Sequence, residues 1–306
     1  MIKNSVCIAT YKRPELLKKL MDSLLNQKNI IFSEVELIVV DNDAEGSARN
    51  IVESYIGKVP CNISYEIQPE KNIAITRNIA VKKASGEYIF FIDDDEYADE
   101  NWMHTHTNNL LKYDADGAFG RAIPYFSLNV PEWLIRIPNY HKKTNLNGEP
   151  PALLSTCNCI IKRDIFIKNG YYFDPKYGIT GGSDHHLFSF MVNNGAKFIS
   201  SYDSITYEYI TDDRANMKWL IQRVFRTGNN FTRTHIVKNG KQSILLSVDE
   251  FIKGIVQAIM ALLISVFLIW NRTKSFHWFL RAVSNIAKPF AVLGIYPAEY
   301  KERKIK

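Results

Sequence analysis

Apolar positions along the first third of the chain follow two alternating rhythms. Residues 5–10 form a short, nearly unbroken apolar run, the mark of a buried strand. Pro14 then opens a helical segment with Leu16, Leu17, Leu20, Met21, Leu24 and Leu25 on one stripe. Residues 36–41, 62–67 and 88–92 repeat the strand pattern, and residues 47–55 and 75–84 the helical one, the latter stopped by Gly86. Strands alternating with helices in this way predict a mostly parallel, three-layer α/β sheet. Ligands of such sheets sit at the carboxyl ends of the strands. Thr10, Asp41 and the run Asp93-Asp94-Asp95 all fall at such ends.

Beyond residue 96 the rhythm loosens. A helix is expected over 102–111, strand character over 152–161, and helices over 185–193 and 218–232. A proline- and aromatic-rich stretch occupies 124–138, and a glycine-rich turn, 177–184, leads into the second of these helices. From Phe251 the character changes: residues 254–270 run for 17 residues without a charge, at the short limit for a membrane span. Residues 276–293 carry a polar stripe of His277, Arg281, Ser284 and Lys288, the pattern of an interfacial helix. A helical hairpin packed on the rest of the protein is the alternative. The expected organisation is a catalytic domain over 1–240, with a nucleotide-binding half to about 96 and an acceptor half beyond it, then a basic amphipathic helical region over 241–306.

Charge sharpens this division. The chain of 306 residues carries +6 overall, yet residues 214–306 hold 16 Lys/Arg against 4 Asp/Glu, so the whole positive excess lies there. Embedded in aliphatic helices without a recognition motif, these cations suit an anionic membrane surface and not nucleic acid. The four cysteines form no disulfide framework, and Cys157 and Cys159 lack the second ligand pair a zinc site needs. The start has no secretory signature, so reduced thiols and unmodified sequons at Asn62, Asn230 and Asn271 are expected.

Three acids in a row at the end of a buried strand raise one another's pKa and oppose folding unless a cation is present. Hard divalent cations take carboxylate and phosphate oxygens together, so the triplet points to a metal bridging protein and diphosphate. A dehydrogenase would need a Gly-x-Gly-x-x-Gly turn after the first strand, where this chain has Thr-Tyr-Lys-Arg-Pro14. The phosphate loops of P-loop enzymes and nucleotidyltransferases are also missing. A non-catalytic sugar-nucleotide- or glycan-binding subunit of a membrane assembly complex is the rival reading.

Val-Cys-Ile-Ala-Thr-Tyr-Lys-Arg-Pro14, Glu36-Leu-Ile-Val-Val-Asp-Asn42, Asn72-Ile-Ala-Ile-Thr-Arg-Asn78 and Phe-Ile-Asp-Asp-Asp-Glu96 follow in the order seen in glycosyltransferase family 2. Phe173-Asp-Pro, Thr180-Gly-Gly-Ser-Asp184 and Trp219-Leu-Ile-Gln-Arg-Val-Phe-Arg226 extend the match over roughly residues 3–235. The chain resembles the bacterial exopolysaccharide branch, similar to the succinoglycan-type β-glucosyltransferases. The resemblance implies a GT-A fold, with the C-terminal helices as a membrane-associated appendage. It implies inverting, single-displacement transfer of a hexose from a UDP-sugar to a lipid-linked oligosaccharide at the cytoplasmic face of the inner membrane, with Mn2+ or Mg2+. By matched position, Asp41 would bind the base, with Thr10, Tyr11 and Arg13 lining the nucleoside pocket and Arg77 nearby. Asp93 and Asp94 would hold ribose and donor sugar, Asp95 the metal, and Asp184 would be the general base. Relatives usually carry Gly-Gly-Glu-Asp where this chain has Gly-Gly-Ser-Asp184, which leaves the base in place and puts acceptor contacts in question. Asp184 is also a candidate helix N-cap. His185 and His186 point about 100° apart on a helix, so at most one faces the site. Arg223 and Arg226 share a helix face and resemble the family's basic helix near diphosphate or acceptor. Trp133 and Trp219 are candidates for stacking on sugars, with core packing as the competing reading.

Overall fold

The computed structural model describes residues 1–127, 129–238 and 241–297. The remaining positions, including 298–306 of the expected basic C-terminal region, lie outside the described residues. The strands are β1 (Asn4–Thr10), β2 (Val35–Asp41), β3 (Asn62–Ile67), β4 (Tyr88–Ile92), β5 (Glu96–Ala98), β6 (Gly117–Phe126), β7 (Asn158–Lys162) and β8 (Phe198–Ile210). The helices are α1 (Pro14–Leu25), α2 (Arg49–Glu53), α3 (Ile73–Lys83), α4 (Trp102–Lys112), α5 (Glu132–Ile135), α6 (Arg163–Asn169), α7 (Ser183–Asn193), α8 (Met217–His235), α9 (Ile244–Phe267) and α10 (Arg272–Val292). They fall into two compact units. The first comprises Met1–Tyr125, Lys142–Gly178 and Ser183–Tyr209; the second comprises Phe126–His141, Ile179–Gly182 and the chain from Ile210.

The first unit is built on one sheet in the order β3-β2-β1-β4-β7-β6-β8-β5. The half read from the apolar runs, β3-β2-β1-β4, is parallel throughout. From β4 to β7, β7 to β6 and β8 to β5 the pairing is antiparallel, so the sheet is mixed. Alternate residues of each parallel strand feed two cores. Val6, Ile8, Val39 and Phe90 pack with Leu17, Leu20 and Trp102 on one face. Cys7, Ile38, Val40, Ile89 and Phe91 pack with Ala80, Phe173 and Phe188 on the other. Burial on both faces is why these strands read as unbroken apolar runs.

Two strands of the antiparallel half, β6 and β8, leave little trace in the apolar pattern. In β8 the inward positions include Ser200, Ser201, Ser204 and Thr206, all buried, so hydroxyls fill places where apolar residues would have shown the period. In β6 the signal is broken by Gly117 and Gly120; a Cβ on Gly120 would collide with Asn158 and the carbonyl of Ser204. The strand expected over 152–161 is confined to its end, with β7 beginning at Asn158.

Asn158 is the joint of this half. Its Oδ1 accepts from Trp102 Nε1 at 2.8 Å and lies 2.6 Å from His106 Nε2. Its Nδ2 donates to the carbonyls of Arg121 and Ser204 at 3.2 and 3.1 Å. One amide therefore ties β7 to α4, β6 and β8, away from water, where a lost partner costs about 1–3 kcal/mol.

The second unit is helical. Leu134, Ile137, Tyr140, Ile210, Leu220, Val224 and Leu280 form its core, bringing together α5, α8 and α10. Its long helices α8, α9 and α10 start on side-chain caps: Asn216 on Trp219 N, Ser243 on Leu246 N and Asn271 on Lys274 N.

Burial lowers the pKa of His106 to about 4, against its hydrogen bond to Asn158 Oδ1, and its Nδ1 is buried without a partner. The folded state therefore takes up this proton at lower pH than the unfolded chain does, and the two states do not differ above about pH 6.5. Stability should fall as pH drops from about 6.5 to 4, by about 3 kcal/mol from this residue. Urea unfolding at pH 7.5 and 4.5 checks it: His106→Gln should lose less between the two than the parent.

Candidate active site

The acid triplet leaves β4 at its carboxyl end, beside the carboxyl end of β1. Thr10, the last residue of β1, donates from Oγ1 to Asp94 Oδ2 at 2.9 Å, and Tyr11 N reaches the same oxygen at 3.3 Å. Lys12, next in the turn, has a positive φ of 53°, a strained backbone for a residue with a side chain. Arg13 then returns: its Nη1 lies 2.9 Å from Asp94 Oδ1 and 2.9 Å from Asp95 Oδ2. The end of β1 and the turn into α1 thus wrap around the acids through Thr10, Tyr11 and Arg13.

Arg77 approaches from the other side. Its Nη2 lies 3.6 Å from Asp93 Oδ1, and its Nη1 lies 3.4 Å from Ser183 Oγ, which accepts. Two asparagines bracketing it in the sequence dock α3. Asn72 caps the helix, accepting from Ala74 N and Ile75 N, and donates to the carbonyl of Pro175 at 3.1 Å. Asn78 exchanges two hydrogen bonds of 2.8 Å with the backbone of Phe173. Gly178 is required here, because a Cβ would strike the side chain of Asn72. The motif Asn72-Ile-Ala-Ile-Thr-Arg-Asn78 is therefore a mount for Arg77.

Ser183 opens α7 and is fully buried; Asp184 follows it. Asp184 Oδ2 accepts from Ser155 Oγ at 3.2 Å and Thr156 N at 3.4 Å, and Oδ1 from His185 N at 2.8 Å. Arg77 links Asp93 to the residue preceding Asp184, and the segment before β7 orients the carboxylate. Ser155 and Thr156 carried no signal in the sequence. His186 stacks on Tyr177 with centroids 4.5 Å apart, while burial pulls the His185 pKa down against the adjacent Asp184.

Asp41 is completely buried at the end of β2. Its carboxylate accepts from Asp43 N at 3.0 Å, Ala48 N at 2.8 Å and Tyr65 Oη at 2.9 Å. It shapes the loop after β2. The neighbouring acid, Asp43, lies 3.7 Å from Lys12 Nζ.

A second charge cluster abuts the triplet. Glu96 and Glu208 face each other across β5 and β8. Like charges directly opposite on adjacent strands repel. Lys142 Nζ sits 3.5 Å from Glu96 and 2.7 Å from Glu208. The Glu96 side chain is 0% exposed and that of Lys142 14%. Burial drives the Glu96 carboxyl well above its usual range, opposed by Lys142. Burial likewise raises Asp94, against Arg13. Lys142 carries no signal in the sequence that would pair it with residues so distant along the chain.

The donor chemistry fits a divalent cation. Carboxylates suit Mg2+ or Mn2+. Asp94 and Asp95 already converge on one positive group, the Arg13 guanidinium. Among the described residues no three His, Cys, Asp or Glu side chains converge into a cage. A cation shared between one or two carboxylates and substrate phosphates needs no such cage.

The other candidates lie in the second unit. Arg223 stacks over Trp219 at 4.8 Å, and Trp219 lies parallel to Tyr140 at 6.1 Å. Arg226 sits on α8, three residues after Arg223. Trp133 packs edge-on against Phe276 under the Arg272 guanidinium. The two tryptophans thus have aromatic partners within their own unit.

A model of glycosyl transferase family 2 matches residues 5–170, and the chain belongs to that family. Its fold is GT-A, the class to which its structural neighbours belong. Among curated relatives, the chain is 30% identical over 227 residues to the succinoglycan biosynthesis protein ExoM of Rhizobium meliloti, covering 74% of this chain and 73% of that one. It is 29% identical over 220 residues to the poly(ribitol-phosphate) β-N-acetylglucosaminyltransferase TarS of Staphylococcus aureus, covering 69% of this chain and 36% of TarS. The structure of TarS 1–349 with UDP superposes with a TM-score of 0.56 at 17% identity, covering 96% and 92% of the two chains. The mannosyltransferase PcManGT of Pyrobaculum calidifontis, solved with GDP-Man and Mn2+, gives 0.60 at 16%, covering 93% and 87%. The family resemblance read from the motifs is borne out.

Replacing Lys142 with Met should cost about 3 kcal/mol or more, because it strands two buried carboxylates. Lys142→Arg, which keeps the charge, should lose less. Denaturant midpoints of the two variants at pH 7.5 test the assignment; equal stability of Lys142→Met and the parent would refute it.

Proposed function

We propose that the protein is an inverting hexosyltransferase that moves a sugar from a UDP-sugar to a lipid-linked glycan in surface or extracellular polysaccharide synthesis. The observation that carries the reading is the bridge made by Arg77, from Asp93 of the triplet to Ser183 beside Asp184. It ties a donor-side acid and a candidate base into one constellation within the first unit. A binding subunit would have no need for that link.

In this reading the loop 10–13 and the pocket shaped by Asp41 receive the nucleoside, while Asp93 and Asp94 orient ribose and donor sugar. Asp95 would hold the divalent cation, Mn2+ or Mg2+, which when bound would neutralise the departing diphosphate as a Lewis acid. Arg77 lends positive charge at the same edge. Asp184, held in place by Ser155 and Thr156, takes the proton from the acceptor hydroxyl as that oxygen attacks the anomeric carbon. The bond from the anomeric carbon to the diphosphate breaks, UDP leaves, and the configuration inverts. A serine at position 183 is short enough to sit buried and still meet Arg77. The usual glutamate would bring a further carboxylate to that guanidinium. Arg223 and Arg226 of α8 are proposed for the diphosphate or acceptor. The reaction is placed at the cytoplasmic face of a bacterial inner membrane, where lipid-linked acceptors are presented.

Two variants separate the parts. Asp184→Asn should bind UDP-sugar as the parent does, read as an unchanged thermal shift, while transfer drops by about 100-fold or more. Asp95→Ala should lose the stimulation by Mn2+ or Mg2+ and nearly all transfer. Full metal-dependent activity in Asp95→Ala would remove the triplet from the mechanism. Surviving transfer in Asp184→Asn would place the base elsewhere. UDP-sugar binding with no turnover on any acceptor would favour a binding subunit.

A further inference from the structure

In the second unit, α9 is long enough to cross a bilayer: 24 residues, about 36 Å of helix. Its two faces differ sharply. Ser247, Gly254, Ala258, Ala261 and Ser265 form a stripe of small residues turned inward with Glu250. Ile252, Ile259, Leu263, Val266 and Phe267 stand more than half exposed on the outside, followed by Trp270 in the turn beyond the helix.

The inward stripe has a partner along its whole length. Ser265 and Ser275 exchange hydrogen bonds of 2.9 Å, Gly254 lies against Pro289 and Asn285, and Lys288 Nζ sits 3.2 Å from Glu250. These contacts run in reverse order, so α9 and α10 form an antiparallel hairpin. On its other side α10 packs on α8. Gly228 meets Ser284 so closely that a Cβ would clash, and Asn229 donates to the carbonyl of Ala287 at 3.2 Å.

This stack decides the geometry. Were α9 to span a membrane, α10 would go with it, putting Arg281 and Lys288 at hydrocarbon depth, and α8 would follow with Arg223, Arg226 and Arg233. Each such charge costs a few kcal/mol even on the most lenient scale. Lying flat immerses the outer face of α9 alone and keeps α10 and α8 in water. We therefore propose that α9 lies in the plane of an anionic lipid leaflet, its outer face sunk among the acyl chains; this deepens the membrane placement proposed above and rests on it. Charge argues for lipid over a second copy of the chain. Residues 214–306 carry 16 basic against 4 acidic residues, which attracts anionic headgroups and repels an identical surface.

The test uses the full-length chain with Cys61→Ser, the cysteine that is not buried, and Lys274→Cys, an exposed position just past the α9–α10 turn. In sealed membrane vesicles of known orientation, a membrane-impermeant maleimide should label residue 274 only from the side that carries the catalytic unit. Labelling from the opposite face would establish a span and overturn the proposal. In flotation, the parent should bind phosphatidylglycerol vesicles at least 10-fold better than phosphatidylcholine vesicles, with high salt weakening the preference. The double variant Ile259→Glu, Leu263→Glu should lose at least 10-fold of that binding. A parent that stays out of phosphatidylglycerol vesicles, or that self-associates through this face instead, overturns it. UDP-sugar binding is measured in parallel. Its loss in the parent would count against the transferase reading, whereas its retention in a variant that no longer floats isolates the lipid contact.

Discussion

The structure turns on one electrostatic constraint: four consecutive acids, Asp93 to Glu96, emerge from a buried strand, and Glu208 is paired opposite the last of them. Such a cluster opposes folding unless positive charge is brought to it. Three cations from three separate places supply it. Arg13 comes from the turn after β1, Arg77 from α3, and Lys142 from the segment preceding β7. Each takes a different pair of partners, so the acids are distinguished by their neighbours. Asp94 and Asp95, both buried, share the Arg13 guanidinium, the more exposed Asp93 looks toward α7, and Glu96 is locked inward with Glu208.

The mounts for these cations explain much of the surrounding architecture. Asn72, Asn78 and Gly178 hold α3 so that Arg77 reaches both Asp93 and Ser183. On the antiparallel half Asn158 does comparable work, joining β7 to α4, β6 and β8. Residues 155 and 156, just before it, hold Asp184. The candidate base is therefore oriented from the same strand start that knits the sheet together, a coupling that links the rigidity of the sheet to the placement of one carboxylate.

In the second unit the organising device is steric. Glycines and small residues let α10 approach α8 on one side and α9 on the other, and this close stacking fixes which face of α9 is left outside. The helix most apolar in sequence is consequently the outermost, the reverse of the usual order in a soluble core.

The sequence by itself determined the parallel half of the sheet, its acidic carboxyl edge and the family. Buried parallel strands need continuous apolar runs, and the acids that follow them stand out against that background. It also showed the apolar, basic character of the C-terminal helices. Only the tertiary structure decided the rest. Strands β6 and β8 are lined by serine, threonine and glycine, whose fit to neighbours has no signature in hydropathy. The pairing of Lys142 with Glu96 and Glu208, and of Ser155 with Asp184, joins residues far apart in the chain, where no local period can report them. Length and composition allowed α9 to span, lie flat or pack inside. The proposal that it lies flat rests on the charged helices at its back, because the cost of burying a charge belongs to the assembled stack and not to any one segment.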